Sequence, residues 1–118
     1  MSVTDHPAYR AQLKREAAAE EKNNQFDEFA KVVRMYADSN AYLLLSKHRD
    51  YGSKNISQSP GGALNGLRVR MHDKLARINN LVDNNTEPEN ESLRDSFIDL
   101  ANYAMIGLLV LDGKWDHE

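Results

Sequence analysis

Glu91, Asp95 and Asp99 stand four residues apart, and Asn102 follows three further on. On a helix turning 100° per residue these four side chains share one side. Carboxylates in that array can offer oxygens to Mg²⁺, a hard cation that takes a few carboxylates, water and phosphate oxygens. A second set is cationic: Arg70, Lys74 and Arg77 lie at i, i+4 and i+7 on one helix flank, with Asp73 beside them to orient Arg70 or Arg77. A third is the run Lys47, His48, Arg49, Asp50, Tyr51, Gly52. Its cations suit phosphate, its histidine suits proton transfer, and its tyrosine offers a ring on which a base can stack. Each set also has a plain structural reading. Early carboxylates and late cations complement helix dipoles, acidic and basic faces of neighbouring helices pair, and a loop tyrosine packs as a lid. His72 falls away from the basic flank and is expected to be exposed.

Positioning these groups requires three helices and a loop. The strongest helical signal spans 91–111. Leu93, Phe97, Leu100, Ala104 and Leu111 form one stripe opposite the acidic one, and from Ala104 onward Met105, Ile106, Leu108, Leu109 and Val110 make the helix apolar nearly all round. That pattern predicts burial in a core or a subunit interface, with the acidic end near solvent. Before it, 67–82 forms a helix with a buried seam of Leu67, Met71, Leu75, Ile78 and Val82, and the polar turn 83–90 offers Asn90 as N-cap. Phe26, Phe29, Ala30, Val33, Ala37, Ala41 and Leu44 predict a long helix over 26–47. Pro7, with Asp5 or His6 as cap, opens a first helix over 7–22. The stretch 50–66 holds four of the six glycines and reads as a binding loop whose backbone N–H groups can cradle phosphate. Trp115, the only tryptophan, anchors a short tail against the core or another subunit.

With 118 residues, 41% hydrophobic and 28% charged, the chain has the size of one domain of ordinary globular composition. Its arrangement is read as an N-terminal arm at 1–23, a core bundle at 24–112 and a tail at 113–118. A net charge of −3 gives no general attraction to a DNA or RNA duplex or to an anionic membrane, so an anionic ligand needs a local basic cluster. The absence of cysteine excludes disulfides, thiolate metal sites and cysteine nucleophiles. No secretory signal is visible, and the longest apolar run is far below the roughly 20 residues that span a bilayer. A cytoplasmic location is expected.

Three pieces, 47–52, 66–81 and 91–104, resemble in order and spacing the small helical family called nucleotide modification associated domain 1, common in bacteriophage genomes. The resemblance covers about 40–112 and implies a role around modified or free nucleotides. Glu91 and Asp95 also resemble the Glu-x-x-x-Asp element of MazG-type all-α NTP pyrophosphohydrolases, which implies that both would be Mg²⁺ ligands. Those enzymes carry a Glu-Glu-x-x-Glu on an earlier helix. Here Glu20 and Glu21 are followed by Lys22, Asn23 and Asn24, and Glu28 alone does not replace the motif.

The expected protein is an all-α bundle of three main helices plus an N-terminal helix, with a long glycine-rich loop at 50–66. The all-round apolar last helix predicts a homo-oligomer, at least a dimer. The first functional expectation is binding of a nucleotide or nucleotide-derived phosphate ligand by Lys47, His48, Arg49, Asp50, Tyr51, Gly52, Arg70, Asp73, Lys74, Arg77 and Asn102. Within it, a phage protein that sequesters a host immune nucleotide without turnover stands ahead of a Mg²⁺-dependent hydrolase using Glu91, Asp95 and Asp99. The third expectation is a structural interaction module with a docking N-terminal helix.

Overall fold

The computed structural model describes residues 5–19 and 24–116. Among these the chain forms five helices and no strand: α1 (Pro7–Ala19), α2 (Asn24–Tyr51), α3 (Lys54–Ser57), α4 (Ala63–Asn84) and α5 (Leu93–Leu111). No helix among the described residues is long and apolar enough to cross a membrane. The chain divides into two compact units, Met1–Tyr42 and Leu43–Glu118, so the division falls inside α2.

In the first unit the ring Nδ1 of His6 accepts from the Ala8 backbone N–H at 3.0 Å, as a helix cap does. Glu16 of α1 pairs with Arg34 of α2. Glu20 and Glu21, the acidic pair weighed above, lie outside the described residues, as does the expected continuation of α1 to residue 22.

The second unit is built on α4 and α5. Leu67, near the start of α4, packs with Ile106, late in α5, while Lys74 of α4 reaches Asp99 in α5 and Glu91 before it, so the two helices run antiparallel. Ile56 of α3 and Trp115 of the tail complete this buried cluster, and Leu44 of α2 packs against it. The indole N–H of Trp115 donates to the Ser53 carbonyl at 2.9 Å, so the tail is anchored on the core by both burial and a hydrogen bond. Burying a side chain of this kind contributes roughly 1.5–3 kcal/mol.

Helix boundaries follow local chemistry more closely than composition suggested. α5 is capped by Ser92, whose extended backbone lets Oγ accept from the Asp95 N–H at 3.0 Å; Asn90 does not cap it. α4 ends at Asn85, which takes a left-handed φ of 47°. The stretch 50–66 is largely helical and not one long loop. α2 continues through Tyr51, α3 adds a turn, and α4 begins at Ala63, leaving 52–53 and 58–62 as connections. Gly52, Gly61 and Gly62 supply the positive φ angles these tight connections need. Gly66 serves differently: it lies buried inside α4, where an added Cβ would sit 2.3 Å from Ser59 Oγ and 2.4 Å from Ser59 Cβ.

The largest departure is the rotation of α5. Its acidic end was expected near solvent and its apolar end deep inside, but at the acidic end Ser96 is buried and Asp99 turned inward, while at the apolar end Ile106 is buried and Leu111 is 67% exposed, and Phe97 of the apolar stripe is 54% exposed. The reason is electrostatic. Asp99 and Glu91 find Lys74 on α4, and fixing that side inward swings Phe97 outward. The expected α4 seam is split in the same way: Leu67 and Ile78 are buried, Leu75 and Val82 are exposed, and Leu81, outside that seam, is buried.

Gly66→Ala is expected to destabilise the protein by about 1–3 kcal/mol through overpacking. In thermal denaturation followed by circular dichroism this is a lower Tm. Adding Ser59→Gly removes the colliding atoms and is expected to return part of the loss, a coupling that independent sites would not show.

Candidate functional site

The last turn of α2, α3, the first half of α4, the middle of α5 and the Trp115 tail enclose a cavity of about 200 Å³. Every lining residue belongs to the second unit. Lys47, His48 and Tyr51 come from the end of α2 and Gly52 from the connection after it; Asn55 and Ile56 from α3; Arg70 from α4; and Asp99, Asn102, Tyr103 and Ile106 from α5. The spacing explains the α5 contribution, since Asp99, Asn102, Tyr103 and Ile106 recur at three or four residues along one side.

Below the cavity lies an ion-pair hub. Lys74 Nζ is 2.9 Å from both carboxylate oxygens of Glu91 and 2.9 Å from Asp99 Oδ2. The other Asp99 oxygen, Oδ1, accepts from Lys47 Nζ at 3.1 Å. Arg77 Nε stands 3.3 Å from Glu91 Oε2, near enough for charge attraction but not aligned as a hydrogen bond. Burial alone would raise the Asp99 pKa, but the Lys74 hydrogen bond, the Glu91 carboxyl beside it and Lys47 together hold it below the ordinary carboxylate value. Burial alone would likewise lower Lys74, and Glu91 and Asp99 outweigh it, so its pKa is raised above that of a free lysine.

Arg70 is held at the cavity by the connection before α4. Its Nη1 donates to Ser59 Oγ at 3.2 Å and its Nη2 to the Asn55 carbonyl at 3.1 Å. Part of the wall is aromatic: His48 and Trp115 contact with ring centroids 4.7 Å apart, and Tyr103 and Tyr51 complete the set, Tyr51 being 68% exposed. A cavity of this kind can hold a phosphate between Lys47 and Arg70 while rings and the Asn55 and Asn102 amides meet a base or sugar.

Lys47, His48, Tyr51, Gly52, Arg70 and Asn102 are thus brought to one cavity, joined by Asp99 from the acidic set. Arg49, Asp50 and Asp73 are exposed and do not line it, and Lys74 and Arg77, which do not line it either, are engaged with Glu91. His72 is exposed. Asn55, Tyr103 and Trp115 were missed. Tyr103 was within reach of sequence reasoning, standing next to Asn102 and one turn beyond Asp99; Trp115 was read only as an anchor.

The residues do not come together as a Mg²⁺ site in this arrangement. Glu91 and Asp99 share Lys74, Asp95 is exposed, and no group of three or more His, Asp or Glu among the described residues is placed to hold a metal ion.

Fold and cavity together define a small all-α protein with a cleft of mixed polar and apolar lining that carries aromatic rings and two cations. The chain belongs to the nucleotide modification associated domain 1 family, whose model matches residues 47–111. That segment contains every cavity residue except Leu44 and Trp115. The match carries no support for the MazG-type likeness. No curated protein and no solved structure matches the chain.

Asp99 contributes stability that is present above the ordinary carboxylate pKa of ~3.9 and lost as pH falls through its lowered value. Lys74 contributes stability that is present below ~10.5 and lost as pH rises through its raised value. Urea denaturation between pH 2 and 6 is expected to give a shallower acid decline for Asp99→Asn than for the unaltered chain. An equally steep decline would place the acid sensitivity elsewhere.

Proposed function

We propose that this protein binds a nucleotide or nucleotide-derived phosphate ligand in the cavity at the α2–α3–α4–α5 junction and holds it without turnover. One observation carries the reading: Lys47 and Arg70 stand at the same cavity as Tyr51, Tyr103, Asn55 and Asn102. Cations serve the phosphate, rings stack on the base, and amides supply both donors and acceptors for its edge. At about 200 Å³ the cavity is smaller than the ~300–1,000 Å³ of sites that engulf a drug-sized ligand. It suits one nucleotide unit in part, with the remainder lying outward over exposed Tyr51. The family's description, nucleotide modification associated, supports the same ligand class.

Binding without turnover rests on the state of the carboxylates. Asp99 and Glu91 are each held by lysine, and hydrolysis through them would first require both to leave Lys74. The biological form that fits is a phage-encoded sponge in the host cytoplasm, sequestering a cyclic or ADP-ribose-derived immune signal. The rival within the same ligand class is a Mg²⁺-dependent pyrophosphohydrolase.

Thermal shift against nucleoside triphosphates, cyclic oligonucleotides and ADP-ribose derivatives, with Mg²⁺ or EDTA and with the ligand recovered for chromatography, tests the reading. At 100 times Kd a ligand adds about 2.7 kcal/mol of stability. The expected result is a metal-independent shift with intact ligand. Arg70→Ala is expected to weaken binding at least about tenfold, since a hydrogen bond to a charged group contributes ~1.5–3 kcal/mol. Mg²⁺-dependent conversion would establish the hydrolase, and a flat panel would leave the interaction module.

A further inference from the structure

Phe97, Ala101, Ala104, Leu108 and Leu111 recur along α5 at spacings of four, three, four and three, and all five are exposed. This is the 3.5-residue repeat of a helix packed lengthwise against another helix. Leu108 is 40% exposed and Met105, beside the seam, 48%. The two alanines at its centre leave room for a second helix axis at about 8 Å.

We propose that the occupant is α5 of a second copy of this chain, lying antiparallel across a two-fold axis near Ala104. A two-fold interface is self-complementary, so the seam must match itself when reversed. It does to within one residue: about Ala104, Phe97 faces Leu111, and Ala101, three residues before, falls beside Leu108, four after. The helix dipoles choose the direction: in an antiparallel pair the positive N-terminal end of each α5 lies beside the negative C-terminal end of the other, whereas in a parallel pair like ends lie together. Covering the exposed parts of the seam removes on the order of 500 Å² per copy, or about 1,000 Å² in total, the size at which specific interfaces begin.

The full chain in size-exclusion chromatography with light scattering is expected at about 27 kDa, twice its 13.4 kDa. Leu108→Glu is expected to shift it to the single-chain mass with helical content unchanged. Because the chain has no cysteine, oxidative crosslinking reads the geometry without depending on that variant. Ala104→Cys is expected to form a covalent dimer. Phe97→Cys alone is not, since its two copies would lie about 20 Å apart at 1.5 Å rise per residue. A mixture of Phe97→Cys and Leu111→Cys is expected to crosslink to each other. A single-chain mass at 100 µM, or Phe97→Cys linking to itself as readily as Ala104→Cys, would overturn the proposal.

Discussion

The second unit depends on where the Lys74 ammonium goes. Three hydrogen-bond donors on one nitrogen can serve two carboxylates at once, and Lys74 takes Glu91 from the segment entering α5 and Asp99 from inside it. A single cation so placed fixes both the height and the rotation of α5 against α4. Since Asp99 must face inward, Phe97, two residues and 200° away, must face outward. The apolar seam on the outside of α5 is therefore a consequence of an ion pair on its inside. Asp99 passes the constraint on, because its second oxygen holds Lys47 and so draws the end of α2 over the cavity.

The opposite wall depends on two donors from elsewhere in the chain. Connections rich in Gly, Ser and Asn do not bury enough apolar surface to hold themselves folded. Here Arg70 binds the Asn55 carbonyl from within α4, and Trp115 binds the Ser53 carbonyl from the far end of the chain. Between these anchors the chain closes into α3, and Ile56 is carried into the buried cluster. Gly66 makes the arrangement sterically feasible by letting Ser59 lie directly on the α4 backbone. Arg70 thus has two tasks, holding its own connection and presenting its charge to the cavity.

These dependencies explain what could be read beforehand. The helical repeat at 26–47, 67–82 and 91–111 was legible because periodicity is local, and the basic run ending α2 pointed to four residues that do line the cavity. The inward face of α5 was not legible. An apolar stripe is ordinarily the buried one, and the ion pairs that reverse the choice join residues 17 and 25 positions apart, beyond any window of helical pattern. The same holds for 50–66, whose composition is that of a loop. What folds it is the hydrogen bond from Trp115 to Ser53, across 62 residues, together with that from Arg70.

The arrangement also changes the charge that the cavity offers. Five cations look available in the sequence, Lys47, Arg49, Arg70, Lys74 and Arg77, enough for a triphosphate. Lys74 and Arg77 are turned to Glu91, Arg49 lies outside, and Lys47 and Arg70 face the cavity across Asp99. Two cations against one carboxylate come close to balance. On the proposed reading such a cavity suits one phosphodiester better than a chain of phosphates, whose several charges would be left without partners on desolvation. Selectivity then falls to the rings of Tyr51 and Tyr103 and the amides of Asn55 and Asn102, groups that distinguish the base and the sugar and do not count charges.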